Sequence, residues 1–205
     1  MVCFSHKNKG GAAGAARKGH AAMIIEEIGF TLRDGRGAVI RSPRGEDIPG
    51  MLEYLYITAC ETEFLLRYPE ECGKYTPEGE RALFERVNAS ENEAMLVCLV
   101  EGRIAGTCSV SRFPHLKLRH RATLAIALTK EFWGLGIGTR LMEELLRIAR
   151  GWGVMQAELE FIEGNDRARA LYERFGFEIT GFKPDAIMLK DGRLLKEYAM
   201  VKKLG

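Results

Sequence analysis

Leu124-Ala125-Ile126-Ala127-Leu128-Thr129-Lys130-Glu131-Phe132-Trp133-Gly134-Leu135-Gly136-Ile137-Gly138-Thr139-Arg140-Leu141 is the stretch that decides how the rest of the chain is read. Its first five residues finish an apolar strand pattern and its last begin an amphipathic helix. Between them, Trp133 to Gly138 places glycines at alternate positions. Glycine lets the backbone turn so that several N–H groups point into one concavity at the positive end of the helix dipole, where a phosphate can sit. A plain tight turn is the rival reading of the glycines taken alone. The spacing G-x-G-x-G is neither the G-x-G-x-x-G of a dinucleotide fold nor the G-x-x-x-x-G-K-[ST] of a P-loop, and no lysine follows it.

Working outward, the hydrophobic periodicity alternates between the two regular patterns. Upstream, Phe30 to Arg33 and Arg36 to Arg41 flank Asp34-Gly35 and predict a hairpin closed by a tight I′ turn. Ile48, Met51, Leu52, Leu55 and Tyr56 recur at helical spacing, as do Leu83, Phe84 and Val87 in a second helix from about Pro77 to Ala89, with Arg67 to Thr76 irregular between them. Ala94 to Val100, Ile104 to Phe113 and Arg119 to Leu128 read as a three-stranded antiparallel meander, which disfavours a doubly wound sheet. Downstream come a helix over Gly138 to Arg150, a strand over Met155 to Ile162, a short helix over Asp166 to Phe175, and strands over Phe177 to Leu189 and Arg193 to Lys202 around Asp191-Gly192. The order is that of a mixed α/β domain.

Composition narrows the function. The chain has 205 residues, 30 basic and 28 acidic, for a net charge of +2. That balance lacks the basic excess of a phosphate-tracking domain and gives no reason to expect nucleic acid as a partner. No apolar run approaches the ~20 residues of a membrane span. Residues 1–22 hold ten Gly or Ala, four basic residues and no acidic one, so they read as a flexible tail or expression remnant, with Met23 a second start; residues 23–205 read as a single domain. Five widely spaced cysteines (Cys3, Cys60, Cys72, Cys98, Cys108) form no C-x-x-C and no metal-ligand spacing, which points to mostly buried thiols in a reducing, cytoplasmic setting and to no metal site.

Two segments together resemble a known family. The stretch quoted above, followed about thirty residues later by Asn165-Asp166-Arg167-Ala168-Arg169-Ala170-Leu171-Tyr172-Glu173-Arg174-Phe175-Gly176-Phe177, resembles the GCN5-related N-acetyltransferases, the GNAT family, over about residues 39–203. The resemblance implies a mainly antiparallel central sheet of about seven strands, splayed between the fourth and fifth and flanked by about four helices. It implies acetyl-CoA as cosubstrate, with the backbone of Ile126, Ala127 and Leu128 pairing with the pantetheine arm. Gly134, Leu135, Gly136, Ile137, Gly138 and Thr139 would hold the pyrophosphate, and Asn165 would touch the cofactor arm. The family pattern is [QR]-x-x-G-x-[GA]; here Trp133 stands at the Gln/Arg position, a departure that many relatives share, which leaves the backbone amides of the cradle intact but not the usual side chain beside the pyrophosphate. Asn165 also reads as an ordinary helix N-cap, and both roles can hold at once.

The resemblance also matches Tyr172 to the tyrosine beside the thioester sulfur. A phenol of ordinary pKa near 10 can protonate a leaving thiolate, although Ala168, Leu171, Tyr172 and Phe175 equally describe the buried face of a helix. An acceptor amine must lose a proton before it attacks. Glu160 is the first choice of base, since some relatives that acetylate protein amino termini carry a catalytic glutamate there; the alternative is a solvated strand face shared with Glu158. His120 and Glu63 are weaker choices. In the family the acceptor lies against segments that here are Cys60 to Thr76 and Pro184 to Leu195, where Glu61, Glu63, Glu70, Glu71 and Asp185 could meet an ammonium. Resemblance around Lys183-Pro184-Asp185-Ala186 favours transfer to the primary amine of a small molecule such as an amino acid, in a ternary complex. A protein N-terminus is the alternative acceptor, and a non-catalytic acyl-CoA sensor the alternative activity. Many relatives form homodimers, which carries over as analogy only.

Overall fold

The computed structural model describes residues 24–205, so the expected tail lies outside the described residues. Eight strands form one sheet: β1 (Ile28–Thr31), β2 (Gly37–Arg41), β3 (Glu93–Val100), β4 (Arg103–Arg112), β5 (Arg121–Leu128), β6 (Gln156–Ile162), β7 (Glu178–Met188) and β8 (Leu194–Lys203). Four α-helices cover it: α1 (Ile48–Glu61), α2 (Pro77–Asn88), α3 (Ile137–Gly151) and α4 (Asp166–Arg174). The spatial order is β1-β2-β3-β4-β5-β6-β8-β7, antiparallel at every step except β5 to β6. The strand beyond the expected seven is β1, a short edge strand built from the hairpin.

Three local readings change. Gly35 has φ 92° whereas Asp34 is not among the positive-φ residues; the Gly35 N–H bonds Leu32 O and the Leu32 N–H bonds Arg36 O. The loop is therefore a type I turn with glycine in the following left-handed position, not a I′ turn, and the Asp34 carboxylate holds it by accepting from the Arg36 N–H at 3.1 Å. The segment expected to be irregular contains a 3₁₀ helix, Pro69–Lys74, closed by the Glu71 carboxylate accepting from the Tyr68 N–H at 2.8 Å. Of the four described cysteines, Cys98 and Cys108 are buried, Cys72 is half-buried and Cys60 is exposed, so burial accounts for only half of them.

Two apolar cores lie on opposite faces of the sheet. Leu141, Met142, Leu145, Leu146 and Ile148 of α3 pack with Leu96, Val110, Leu124 and Leu159, while Met51, Tyr54 and Leu55 of α1 pack with Phe84, Val97 and Ile104. The i, i+3, i+4 spacing of the α3 residues makes that helix form where it does.

The single parallel step matters most for function. β5 and β6 pair only over Arg121 to Thr123 against Gln156 to Glu158, and both strands run on beyond that point unpaired with one another. The Arg121 and Glu158 side chains form an ion pair at the root of the split, supported by Gln156 Nε2 donating to Glu158 at 2.7 Å. Beyond the root the sheet opens into a V whose walls are the free edges of β5 and β6. In the count that starts at β2, this is the split between the fourth and fifth strands.

Candidate active site

The V continues into a cavity of about 530 Å³. Its lining brings together Ile126, Ala127 and Leu128 from β5, Gly134 and Gly136 to Thr139 from the loop and first turn of α3, Glu160 from β6, and Asn165 and Tyr172 from α4. Segments as far apart in sequence as Ile126 and Tyr172 thus face one space.

The glycine loop has the geometry a phosphate cradle needs. Gly134 and Gly136 have φ 81° and 97°, a region in which a side chain costs about 1–2 kcal/mol. Gly136 is the N-cap of α3 and has no side chain to cap the helix with, so the first N–H groups of a fifteen-residue helix are left open toward the cavity. Gly138 lies close to α4: a Cβ there would meet Leu171 Cδ2 at 3.3 Å, tight enough that the leucine would have to shift by a few tenths of an ångström. Leu135 is the exception among the expected loop residues. It is absent from the lining, packs against the core, and its carbonyl accepts from the Arg33 N–H at 3.2 Å.

The register of β5 sorts its peptide groups. The Thr129 N–H bonds Ala105 O and Phe113 N–H bonds Arg121 O, so the odd-numbered residues of β5 turn their peptide groups to β4. Ala127 follows that parity, and its carbonyl also accepts from the Tyr54 hydroxyl at 2.8 Å. Ile126 and Leu128 therefore present the edge to the V, and Ala127 serves β4. Within that edge the Leu128 carbonyl already accepts from Trp133 Nε1 at 3.1 Å, which leaves the N–H groups of both residues and the Ile126 carbonyl for a partner.

On α4, Asn165 Oδ1 accepts from the Ala168 N–H at 3.2 Å, so the capping role holds, and its amide NH₂ remains on a residue that lines the cavity. Tyr172 is 6% exposed, surrounded by Phe161 and Phe177 rings, and its hydroxyl has no hydrogen-bond partner among the described residues. Burial pushes the phenol up to about 12, so it is neutral and able to donate at any physiological pH.

Glu160 lines the cavity from β6 as a half-buried residue between Leu159 and Phe161, which are buried; Phe161 also reaches the cavity wall. Its Oε1 lies 3.3 Å from Lys183 Nζ, and the same ammonium lies 2.7 Å from Glu197 Oε2. The two carboxylates raise the Lys183 pKa, the Glu197 hydrogen bond most. Glu158, on the same face, is spent on Arg121: burial would raise its pKa, yet the Arg121 and Gln156 hydrogen bonds outweigh that and hold it below the usual carboxylate range. Sequence reasoning missed Lys183 and Glu197 as cavity residues, because only the β6-β8-β7 register brings Glu197 and Lys183 opposite one another and beside Glu160.

The weaker candidates fall elsewhere. His120 and Glu63 do not line the cavity, and Glu63 lies 3.4 Å from Arg193. Glu61 accepts from the Lys130 N–H, Glu70 pairs with Lys190, Glu71 closes the 3₁₀ helix, and Asp185, at φ 49°, sits in the irregular stretch of β7 between Lys183 and Ile187. From the expected segment Cys60 to Thr76, the residues that line the cavity are instead Thr62, Phe64, Leu65 and Leu66. The Lys190 N–H donates to the Tyr68 hydroxyl at 3.1 Å, joining the β7–β8 hairpin to the segment after α1, but of the expected second wall no residue from Pro184 to Leu195 lines the cavity. Three guanidinium groups, of Arg33, Arg167 and Arg174, also line the cavity beside the glycine loop, and none of them appears in an ion pair among the described residues.

Comparison with known proteins agrees with this geometry. The chain is 33% identical over 102 residues to the N-alpha-acetyltransferase RimI of Mycobacterium tuberculosis, a match that spans 50% of this chain and 63% of that relative. Among solved structures, an acetyltransferase of the GNAT family from Streptococcus pneumoniae superposes with a TM-score of 0.76 at 25% identity, over 81% of this chain and 99% of that one. A ribosomal-protein-alanine N-acetyltransferase from Brucella melitensis gives 0.69 at 28% identity, over 80% and 98%. The model of the acetyltransferase (GNAT) family matches residues 58–177, which run from α1 to the start of β7 and contain the β5 edge, the glycine loop, Glu160 and Tyr172, and the chain belongs to that family.

Proposed function

We propose that the protein transfers the acetyl group of acetyl-CoA to the α-amine of a protein or peptide N-terminus. The observation that carries the reading is the convergence of the cradle, the β5 edge, Tyr172 and Glu160 on one cavity. The residues fit the cosubstrate: uncapped N–H groups and positive-φ glycines suit a pyrophosphate, and the unpaired β5 edge suits an amide-bearing arm laid along it like a further strand. A peptide acceptor is placed ahead of a small amine because the relatives include one named an N-alpha-acetyltransferase and one named a ribosomal-protein-alanine N-acetyltransferase, and because the family resemblance matches Glu160 to the glutamate that some relatives acting on protein amino termini use. The small primary amine is the second reading; the Thr62 to Leu66 wall is compatible with either.

In this reading Glu160 takes the proton of the ammonium, directly or through water. The neutral amine then attacks the thioester carbonyl, whose oxygen is polarised by the N–H groups left open on Ile126 and Leu128. The C–N bond forms, the C–S bond breaks, the departing thiolate takes a proton from the Tyr172 hydroxyl, and the amide nitrogen returns its second proton to the Tyr172 oxygen, directly or through water, so that the one proton left over is that on Glu160. Direct transfer needs no acyl-enzyme, and no cysteine lines the cavity among the described residues. The test is CoA release across amino acids, polyamines and short peptides with free amino termini, with a no-acceptor control for the exposed Cys60. Release with the peptides supports the proposal, release with small amines alone moves it to the second reading, and tight acetyl-CoA binding without release in any lane contradicts catalysis.

A further inference from the structure

We infer that Arg167 is the cation that binds the pyrophosphate of CoA, in place of the Gln or Arg side chain that Trp133 has displaced from the loop. The inference rests on the reading of the cavity as an acetyl-CoA site.

Trp133 cannot itself meet a phosphate, because its one donor is committed to the Leu128 carbonyl at 3.1 Å. That bond fixes the indole plane at the edge of the cradle. Arg167, two residues into α4 from the Asn165 cap, lays its guanidinium over that plane with Cζ 4.7 Å from the ring centroid. A cation–π contact takes up none of the guanidinium's N–H donors as a hydrogen bond would. Those donors face the loop: a Cβ placed on Gly134 would lie 4.0 Å from Arg167 Nη2. Among the described residues no carboxylate or carbonyl takes them, and the residue lines the cavity.

The neighbouring cations are less suited. Arg33 Nη1 donates to the Gly134 carbonyl at 3.2 Å and Arg174 Nη2 to the Thr139 hydroxyl at 2.7 Å, so each is partly spent on shaping the loop. Lys130 also lies over the Trp133 ring, at 5.8 Å, but does not line the cavity. The tryptophan is then more than a lost contact. It is the platform that carries a cation supplied by α4 to the loop, and the charge moves from one segment to the other without leaving the site.

The test is calorimetric affinity, independent of turnover, for CoA, dephospho-CoA and S-acetylpantetheine with the wild type, Arg167→Ala, Trp133→Leu, and the double variant Arg167→Ala with Trp133→Arg. Arg167→Ala is expected to weaken CoA and dephospho-CoA alike, by about ten- to a hundredfold, and to leave S-acetylpantetheine, which has no pyrophosphate, unchanged. Trp133→Leu should weaken the same two ligands, and the double variant should bind CoA within a few-fold of wild type, because the cation has returned to position 133. Equal CoA affinity of wild type and Arg167→Ala would overturn the inference alone. So would a loss confined to CoA, which would put Arg167 on the 3′-phosphate, or a loss shared by S-acetylpantetheine, which would mean a structural defect. A wild-type protein that binds no CoA would remove the reading of the cavity and the inference together.

Discussion

Replacing Tyr172 by phenylalanine separates a tyrosine kept for chemistry from one kept for packing, because the fold contains one buried example of each. The Tyr54 hydroxyl donates to Ala127 O at 2.8 Å and lies 3.2 Å from the Thr107 hydroxyl, whereas the Tyr172 hydroxyl has no partner among the described residues. Removing a satisfied buried hydroxyl strands its acceptor, so Tyr54→Phe is expected to cost about 1–2 kcal/mol. Tyr172→Phe strands nothing and keeps the ring between Phe161 and Phe177, so at pH 7 its stability should be within about 0.5 kcal/mol of wild type or slightly higher. Alkaline pH gives a second readout, which burial imposes on both phenols. In the folded protein the Tyr172 phenol ionises near 12, in the unfolded chain near 10. Its contribution to stability is therefore complete below pH 10 and is lost as the pH rises toward 12. Two pH units correspond to about 3 kcal/mol, which Tyr172→Phe, having nothing to ionise, does not lose. Urea unfolding followed by circular dichroism at pH 7 and over the alkaline range gives the stabilities, and CoA release gives turnover, which should fall by about ten- to a hundredfold at unchanged CoA affinity. A Tyr172→Phe protein that is destabilised by more than about 1 kcal/mol at pH 7 and turns over normally would refute the reasoning.

Three further outcomes follow from the same geometry. Gly136→Asp places a side chain at φ 97° and an anion at the open end of α3; CoA affinity measured by calorimetry should fall by at least about a hundredfold, and normal binding would mean that the cradle lies elsewhere. Glu160→Gln should lower kcat by about a hundredfold or more while CoA binding stays the same, since the group faces the acceptor side and not the cradle; an unchanged kcat would remove Glu160 as base. Glu158→Gln should destabilise the protein near neutral pH by opening the root of the V. Because Arg121 holds the Glu158 pKa below the usual carboxylate range, that stability is present above the unfolded pKa and is lost as pH falls through the folded one, so the gap between variant and wild type in urea melts should close in acid.

Much of this was legible in the sequence because it is local. The α3 stripe from Leu141 to Ile148 and the alternation of Glu158, Leu159, Glu160 and Phe161 carry their own period, so helix, strand and facing follow without tertiary information. The glycine loop was equally readable as a loop between strand and helix, although a plain tight turn shares the same glycine pattern. What escaped notice depends on register. Glu197 and Lys183 become partners of Glu160 only when β8 inserts between β6 and β7, a non-sequential order that no local pattern encodes. The parity that turns Ala127 to β4 and leaves Ile126 and Leu128 on the free edge is likewise a property of strand pairing, and a one-residue slip would reverse it. Arg167 was visible as a basic residue in an Arg-rich helix, but its place over Trp133 is a tertiary contact between α4 and the loop that no local pattern encodes. The I′ turn at Asp34-Gly35 was misread because the dipeptide suits two loops that differ by one residue, and the Asp34 carboxylate selects the longer one.

The central claim is that one cavity moves an acetyl group from acetyl-CoA to an α-amine, and mass spectrometry of the products tests it most directly. The protein is incubated with acetyl-CoA and paired peptides of one sequence, with the N-terminus either free or blocked, each containing an internal lysine. The account predicts one added acetyl group on the free N-terminus, none on the blocked peptide, and loss of the product in Tyr172→Phe and Glu160→Gln. Acetylation that ignores the N-terminal block, or that survives both substitutions at full rate, would contradict it.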